Sequence, residues 1–110
     1  MPDYVCMIQE GQAADGLRAE LAAGLAEIGR DVFGDDPART DIRWVALAEG
    51  MAWTAGEPST SSIVVRSVPV GFPDDQREAY LRRVCDLWVD VTGCSIEEIV
   101  ATAFDGPLPL

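Results

Sequence analysis

Three amino acids are missing from this 110-residue sequence, which contains no histidine, no lysine and no asparagine. The absence of histidine excludes an imidazole base, a histidine metal ligand and a Ser-His-Asp triad. The absence of lysine excludes a Schiff-base lysine and the phosphate-binding lysine of a P-loop. Without asparagine there is no acceptor for an N-linked glycan. All eight basic residues are therefore arginines.

Positive charge is also scarce, because 19 acidic residues outnumber the arginines and the formal net charge is −11. This sign opposes binding to nucleic-acid phosphates and to anionic membrane surfaces. No apolar run approaches the ~20 residues of a membrane span, and the first residues do not resemble a signal peptide. We therefore expect a cytoplasmic protein that binds neither nucleic acid nor a membrane.

Cysteine occurs only at Cys6, Cys85 and Cys94. This spacing fits neither a C-x-x-C metal site nor a dense disulfide framework, so we expect reduced thiols, no metal and no cofactor. The length is that of one domain, covering residues 1–110.

Hydrophobic periodicity divides the first half of the chain into strand, helix and strand. Residues 3–8 are rich in β-formers and predict a strand. Apolar residues then recur every three or four positions from Asp15, which predicts a helix that ends at Gly34. Residues 42–47 predict a second strand, and residues 49–62 favour a loop or a hairpin.

The same order of elements follows in the second half. Residues 63–68 predict a strand, and Asp74 and Asp75 mark the start of a helix that Gly93 ends. Residues 99–104 predict the last strand, and residues 106–110 form a tail. The apolar face of this second helix consists of Leu81, Val84, Trp88 and Val91.

The two capping glycines lie 59 residues apart, which indicates a repeat with halves at about 2–50 and 61–105. We predict an α+β fold of two tandem β-α-β repeats, forming a four-stranded sheet with two helices on one face. Ile63, Val64 and Val65 are consecutive, so the other face of the sheet also needs cover. A neighbouring subunit would supply it.

Few groups that titrate near neutral pH remain in such a chain. They are the thiols, buried carboxylates and the chain's amino terminus, whose ordinary pKa is about 8. Initiator methionine is commonly removed before a small residue, and its removal here would expose the secondary amine of Pro2. The alternative is that Pro2 merely begins the chain.

Several short motifs resemble the tautomerase superfamily in their order along the chain. These are Pro2 before the first strand, Ile-Gln-Glu-Gly at its end, Ile42-Arg43 on the second strand and the loop Trp53-Thr-Ala-Gly. The superfamily includes 4-oxalocrotonate tautomerase, malonate semialdehyde decarboxylase and the 3-chloroacrylic acid dehalogenases. The chain resembles its fused two-repeat members over essentially the whole length.

The resemblance implies that Pro2, freed of Met1, is the general base of a tautomerase acting on a small anionic keto or enol acid. It implies that Arg43 binds the substrate carboxylate and that Trp53 is an aromatic wall near the proline. It also implies a homotrimer with sites at the subunit contacts. The alternatives are a salt-bridged or solvated Arg43 and a Trp53 that serves only packing.

Gln12 departs from the family pattern, in which an arginine often follows the glycine after the first strand. Glutamine still donates hydrogen bonds but carries no charge, so binding of a dianion should weaken by about 1–2 kcal/mol. This change puts dicarboxylate substrates in doubt. Arg39 or Arg66, supplied by the same or a neighbouring subunit, would compensate if either binds substrate. The alternative is that each of them is an ordinary surface arginine with no role in binding.

Two further readings of function stay open. A hydratase, dehalogenase or decarboxylase on the same scaffold is the nearest alternative. A hydratase or dehalogenase would need a carboxylate that activates water, for which Asp41 and Glu10 are candidates. The other reading is a catalytically silent oligomeric binding protein.

Overall fold

The computed structural model describes residues 3–12 and 15–108. Its first half runs strand, helix, strand: β1 (Tyr4–Gln9), α1 (Asp15–Phe33) and β2 (Ile42–Leu47). A small hairpin follows, made of β3 (Trp53–Thr54) and β4 (Glu57–Pro58). The second half repeats the order with β5 (Ser62–Val68), α2 (Asp74–Thr92) and β6 (Ile99–Asp105). Within these described ranges, no helix is both long and apolar enough to cross a membrane.

Both long helices end at a glycine, as the sequence predicts. Gly34 and Gly93 adopt left-handed conformations, each with φ 73°. Their N–H groups bind the carbonyl oxygens of Arg30 and Val89, at 3.1 and 3.0 Å. Glycine reaches positive φ without the clash that a Cβ would cause, so these two positions stop the helices and release the chain toward the next strand.

The four long strands form one mixed sheet in the order β2-β1-β5-β6. The outer pairs β1–β2 and β5–β6 are parallel, and the central pair β1–β5 is antiparallel, with Tyr4 opposite Arg66. Each parallel pair is joined through a helix, as a β-α-β unit requires. The predicted α+β fold is confirmed, and the segment left open between a loop and a hairpin is a hairpin.

One face of the sheet packs against both helices. Along β1 the alternate residues Tyr4, Cys6 and Ile8 are buried, as alternation of a strand's side chains dictates. Burying each large apolar side chain contributes about 1.5–3 kcal/mol to folding. The helix residues that meet this face in the core are Leu21, Leu25, Ile28, Tyr80, Val84 and Trp88.

The opposite face of the sheet carries an apolar row that crosses all four strands. Register places Met7 between Val45 and Ile63, and it places Val100 beside Ile63. Val45 and Val100 are 38% and 45% exposed. The consecutive apolar residues of β5 therefore serve two faces, with Val64 in the core and Ile63 and Val65 on this open face.

Candidate functional site

The start of β1 is fixed by hydrogen bonds to the strands on both sides. The N–H groups of Asp3 and Tyr4 bind the carbonyl oxygen of Asp41, at 2.9 and 3.1 Å. On the other side the Asp3 carbonyl accepts a hydrogen bond from the N–H of Ser67 at 3.2 Å. The Asp3 carboxylate also accepts one from the Asp41 N–H at 3.1 Å. Pro2, the predicted base, lies outside the described residues, and Asp3 is its covalent neighbour.

Arg43 is the second residue of β2 and stands opposite Val5 in the parallel register. Alternation places it with Val45 on the open face, where it is exposed. Among the described residues, no side chain or carbonyl forms an ion pair or hydrogen bond with its guanidinium. Arg43 therefore presents a permanently charged, bidentate donor close to the start of β1.

Arg39 lies at the same end of the sheet, in a short 3₁₀ helix (Pro37–Arg39) that precedes β2. Its side chain is 87% exposed and its Nε lies 3.7 Å from the carboxylate of Asp36. A contact this long at the surface stabilises the fold little, so the guanidinium is loosely held.

Arg66 lies in the core, in contrast to the surface position weighed from the sequence. Its Nη1 donates a 2.8 Å hydrogen bond to Asp35, and its Nε donates to the carbonyl of Ser67. The guanidinium also lies 4.4 Å from the ring centre of Phe33 and 4.8 Å from that of Tyr4. The hydrogen bonds occupy two of the five guanidinium donors, and the ion pair with Asp35 already supplies the carboxylate partner of Arg66.

Two buried tyrosines adjoin this arginine. The hydroxyl of Tyr80 donates a 3.0 Å hydrogen bond to the hydroxyl of Tyr4. Burial raises the pKa of both tyrosines above the usual value, and Arg66 offsets part of the increase. Burial alone would lower the pKa of Arg66, but Asp35 and the tyrosines raise it overall. Both tyrosine hydroxyls therefore stay protonated and the Arg66 guanidinium stays charged at neutral pH.

Gln12 and Trp53 lie at the other end of the sheet. Gln12 ends a 3₁₀ helix after β1, and its Oε1 accepts a 2.9 Å hydrogen bond from Ser62. Trp53 opens the hairpin after β2 and is 62% exposed, with its Nε1 donating to the carbonyl of Gly50 at 2.8 Å. Core packing, the alternative to the aromatic-wall role, does not describe Trp53 in this protomer, because most of its surface meets solvent.

The predicted site residues thus form two groups. Arg39, Arg43 and Arg66 lie where β1 and β2 begin, which we call the start end of the sheet. Gln12 and Trp53 lie beyond the last residues of these strands, at the far end. Six residues of extended strand span about 20 Å, so one protomer does not bring the two groups together.

The two candidate carboxylates divide in the same way. Asp41 is at the start end, hydrogen-bonded through its backbone to Asp3, with its side chain exposed. Glu10 follows β1 at the far end. Within the described ranges, no group of three or more cysteine, aspartate and glutamate side chains is placed to hold a metal ion.

A cleft of about 480 Å³ opens at the start end. Asp3, Arg66 and the last residues of β5 form one side of it, and the C-terminal segment 106–108 forms the other. From the sequence, this segment is predicted only as a tail. The sequence signal that could have identified it is Leu108, an apolar residue between two prolines. In the structure Leu108 is only 4% exposed.

Comparison with known proteins gives matches only at the level of structure. No protein-family model matches the chain, and no curated protein does. Native Ps01740 is 28% identical, with a TM-score of 0.87 over 94% of this chain and 93% of that chain. The R7 fused 4-OT wild type asymmetric trimer is 19% identical, with a TM-score of 0.84 over 96% and 87%. N1, a member of the cis-3-chloroacrylic acid dehalogenase family, is 18% identical, with a TM-score of 0.87 over 96% and 76%.

Proposed function

We propose that this chain, which has the scaffold of a fused tautomerase superfamily member, is a keto-enol tautomerase. Its base is the secondary amine of Pro2 after removal of Met1. Its substrate is a small keto or enol acid whose carboxylate binds Arg43. We place the enzyme in the cytoplasm, where Cys6, Cys85 and Cys94 remain the free thiols that they are in this structure.

The chemistry moves one proton. The neutral amine of Pro2 removes the proton of the substrate's enol hydroxyl. The resulting ammonium then gives a proton to the other carbon of the enol double bond. The enol acid becomes its 2-keto tautomer with no net change in atoms or charge. A nearby guanidinium disfavours the protonated amine, so Arg43 lowers the pKa of Pro2 toward working pH while it binds the carboxylate.

The observation that carries this proposal is the juxtaposition at the start end. Hydrogen bonds to Asp41, which precedes β2, and to Ser67 of β5 fix Asp3. Arg43 lies two residues after Asp41 on β2. Two strand residues span about 7 Å, a distance that an arginine side chain covers. Asp3, the covalent neighbour of the proposed base, therefore lies within an arginine's reach of Arg43. A cation in this position supports a base that acts on a substrate with a carboxylate.

We further propose a homotrimer, because one protomer leaves the site incomplete. Gln12 and Trp53 are needed beside the base but lie at the far end of their own sheet. A neighbouring subunit that packs on the open apolar face would bring its far end to this start end. Trp53, exposed in the protomer, would then exclude water from the site. The fused 4-OT neighbour described above is itself a trimer.

The test compares three chains in the ketonisation of phenylenolpyruvate. The wild type, with Met1 loss verified by intact mass, should be active. Pro2→Ala keeps a terminal amine but loses the secondary amine, and its rate should fall at least tenfold. A chain with one glutamate inserted between Met1 and Pro2 should retain Met1, and its activity should vanish because Pro2 then has an amide nitrogen.

Arg82→Ala is the matched control, because Arg82 is an exposed arginine of α2 that pairs with Glu78. Its rate should equal that of the wild type. Equal activity in all the chains would reject the amine mechanism. Absence of activity in a Met-free wild type, over a panel of enol acids, would favour the silent binding protein.

A hydratase or dehalogenase is the second candidate, and Asp41 is the observation that favours it. Its backbone is hydrogen-bonded to Asp3, the covalent neighbour of Pro2, and its side chain is exposed, so it is the acidic residue at the start end that could activate a water molecule. In this reaction Pro2 would act as the protonated acid and Asp41 as the base. Asp41→Asn should then abolish hydration of an acetylenic or haloacrylic acid while phenylenolpyruvate ketonisation persists.

A further inference from the structure

The C-terminal segment is anchored at the start end of the sheet. Gly106 takes a positive φ of 80° and turns the chain after β6. Its N–H binds the carbonyl of Val68 at 2.8 Å, and its carbonyl accepts a 2.7 Å hydrogen bond from Ser67 Oγ. Two residues later Leu108 is buried. The segment is therefore a fixed wall.

This wall bounds the cleft that begins at Asp3. Its volume of about 480 Å³ falls within the 300–1,000 Å³ typical of small-molecule sites. The lining is mainly apolar, from Val68, Pro69, Pro107 and Leu108. A ligand bound here would lie one residue from the proposed base.

The charges of the cleft select against an anionic group. Arg66 already has Asp35 as its partner, and Asp3 contributes a carboxylate of its own. The described residues that line the cleft therefore offer no unpaired cation to a second substrate carboxylate. An uncharged apolar group would displace water here without leaving a buried charge unpaired.

We infer that this cleft is the subsite for the uncharged, apolar side chain of the substrate and that Leu108 determines its fit. The inference rests on the proposed function and narrows it. The substrate is a monocarboxylic 2-keto or enol acid with an aryl or branched alkyl group. Its carboxylate binds Arg43, its reacting carbon meets Pro2, and its apolar group contacts Leu108.

The kinetic test uses phenylenolpyruvate and the dicarboxylate 2-hydroxymuconate. Wild-type kcat/KM should be at least tenfold higher for phenylenolpyruvate. Leu108→Ala should raise the KM for phenylenolpyruvate five- to tenfold and change kcat and the dicarboxylate KM less than twofold. Ile99→Ala is the matched control, because Ile99 is buried like Leu108 but lies at the opposite end of β6. It should change neither KM by more than twofold.

A binding measurement separates this inference from the proposed function. In the wild type and in the glutamate-inserted chain, phenylpyruvate should shift the amide resonances of Ser67, Val68 and Gly106. Such shifts in a Met-free wild type that shows no turnover would reject the amine mechanism and keep the subsite. Turnover with no shift at these amides would overturn the subsite, as would a Leu108→Ala variant, folded by circular dichroism, that alters both KM values equally or neither.

Discussion

The guanidinium of Arg66 and the carboxylate of Asp35 form a 2.8 Å ion pair beneath the start end of the sheet. The Arg66 side chain is 6% exposed and that of Asp35 is 27% exposed. Asp35 reaches this position across Gly29 of α1, where a Cβ would lie 2.7 Å from its Oδ2. The missing side chain at Gly29 therefore leaves room for the pair.

Gly29→Ala should lower the free energy of unfolding by about 1–2 kcal/mol. Alanine favours a helix by about 1 kcal/mol over glycine, but its Cβ would push Asp35 away from Arg66. Loss of one partner from a fully buried pair costs about 3–5 kcal/mol, and partial exposure of Asp35 reduces this cost. Urea denaturation measures the change. Gly16→Ala, with no heavy atom near its Cβ, should be neutral or stabilising, and equal effects at both sites would contradict the argument.

The two tyrosines, Tyr4 and Tyr80, are the only ones in the chain, so their titration can be followed directly. Burial raises both folded-state pKa values above the unfolded value of about 10. Their contribution to stability is therefore complete below pH 10 and is lost as the pH rises toward the folded-state values. At pH 10.5, absorbance at 295 nm should show less tyrosinate in the native protein than after unfolding, when about three-quarters of each tyrosine is ionised. Equal native and unfolded signals at that pH would show that the hydroxyl pair is accessible.

A charge on the open face of the sheet should dissociate the proposed trimer. Val45 belongs to the apolar row across the four strands, and Val45→Glu would bury a carboxylate there on assembly. Sedimentation should show a monomer for this variant and a trimer for the wild type. Val70→Glu is the control, because Val70 is 81% exposed in the turn after β5. A trimer that tolerates Val45→Glu would mean that subunits associate through another surface.

Arg43→Ala should raise KM more than Trp53→Ala does. A charge-assisted hydrogen bond to a carboxylate is worth about 1.5–3 kcal/mol, which corresponds to roughly 10- to 150-fold in binding. Trp53 is an uncharged aromatic residue, and its effect should divide between KM and the pH dependence of kcat. Steady-state kinetics from pH 5 to 9 measure both variants. The opposite order of KM values would move the carboxylate site away from Arg43.

The order of elements was predictable because local patterns determine it. Period-two and period-3.6 hydrophobicity separate the strands from the helices, and Gly34 and Gly93 mark the helix ends. Alternation along β5 also indicated that Arg66 faces the core, because every second residue of this strand lies on the core face. These residues are Ser62, Val64, Arg66 and Val68. The partner at Asp35 was not predictable, because it depends on how α1 crosses the sheet.

The sequence suggested candidate site residues, but it did not show how they are arranged in space. Residue order along the chain does not show that Gln12 and Trp53 lie about one strand length from Arg43. That separation follows from the parallel register of β1 and β2. The wall at Leu108 was missed because proline-rich segments usually form no regular structure, and its fixed position follows from the hydrogen bonds of Gly106 and the burial of Leu108.

The antiparallel central pair has a consequence for stoichiometry. Gly34 and Gly93 lie 59 residues apart, and the same offset leads from Pro2 to Ser61. Ser61 precedes β5, at the opposite end of the sheet. Ser61 is an internal residue, and its N–H donates a 3.1 Å hydrogen bond to Ser59. Joining two halves in one polypeptide thus leaves the second without a terminal nitrogen. A trimer of this chain would therefore contain three sites with an amino-terminal base. The three equivalent positions in the second repeats would have no such base.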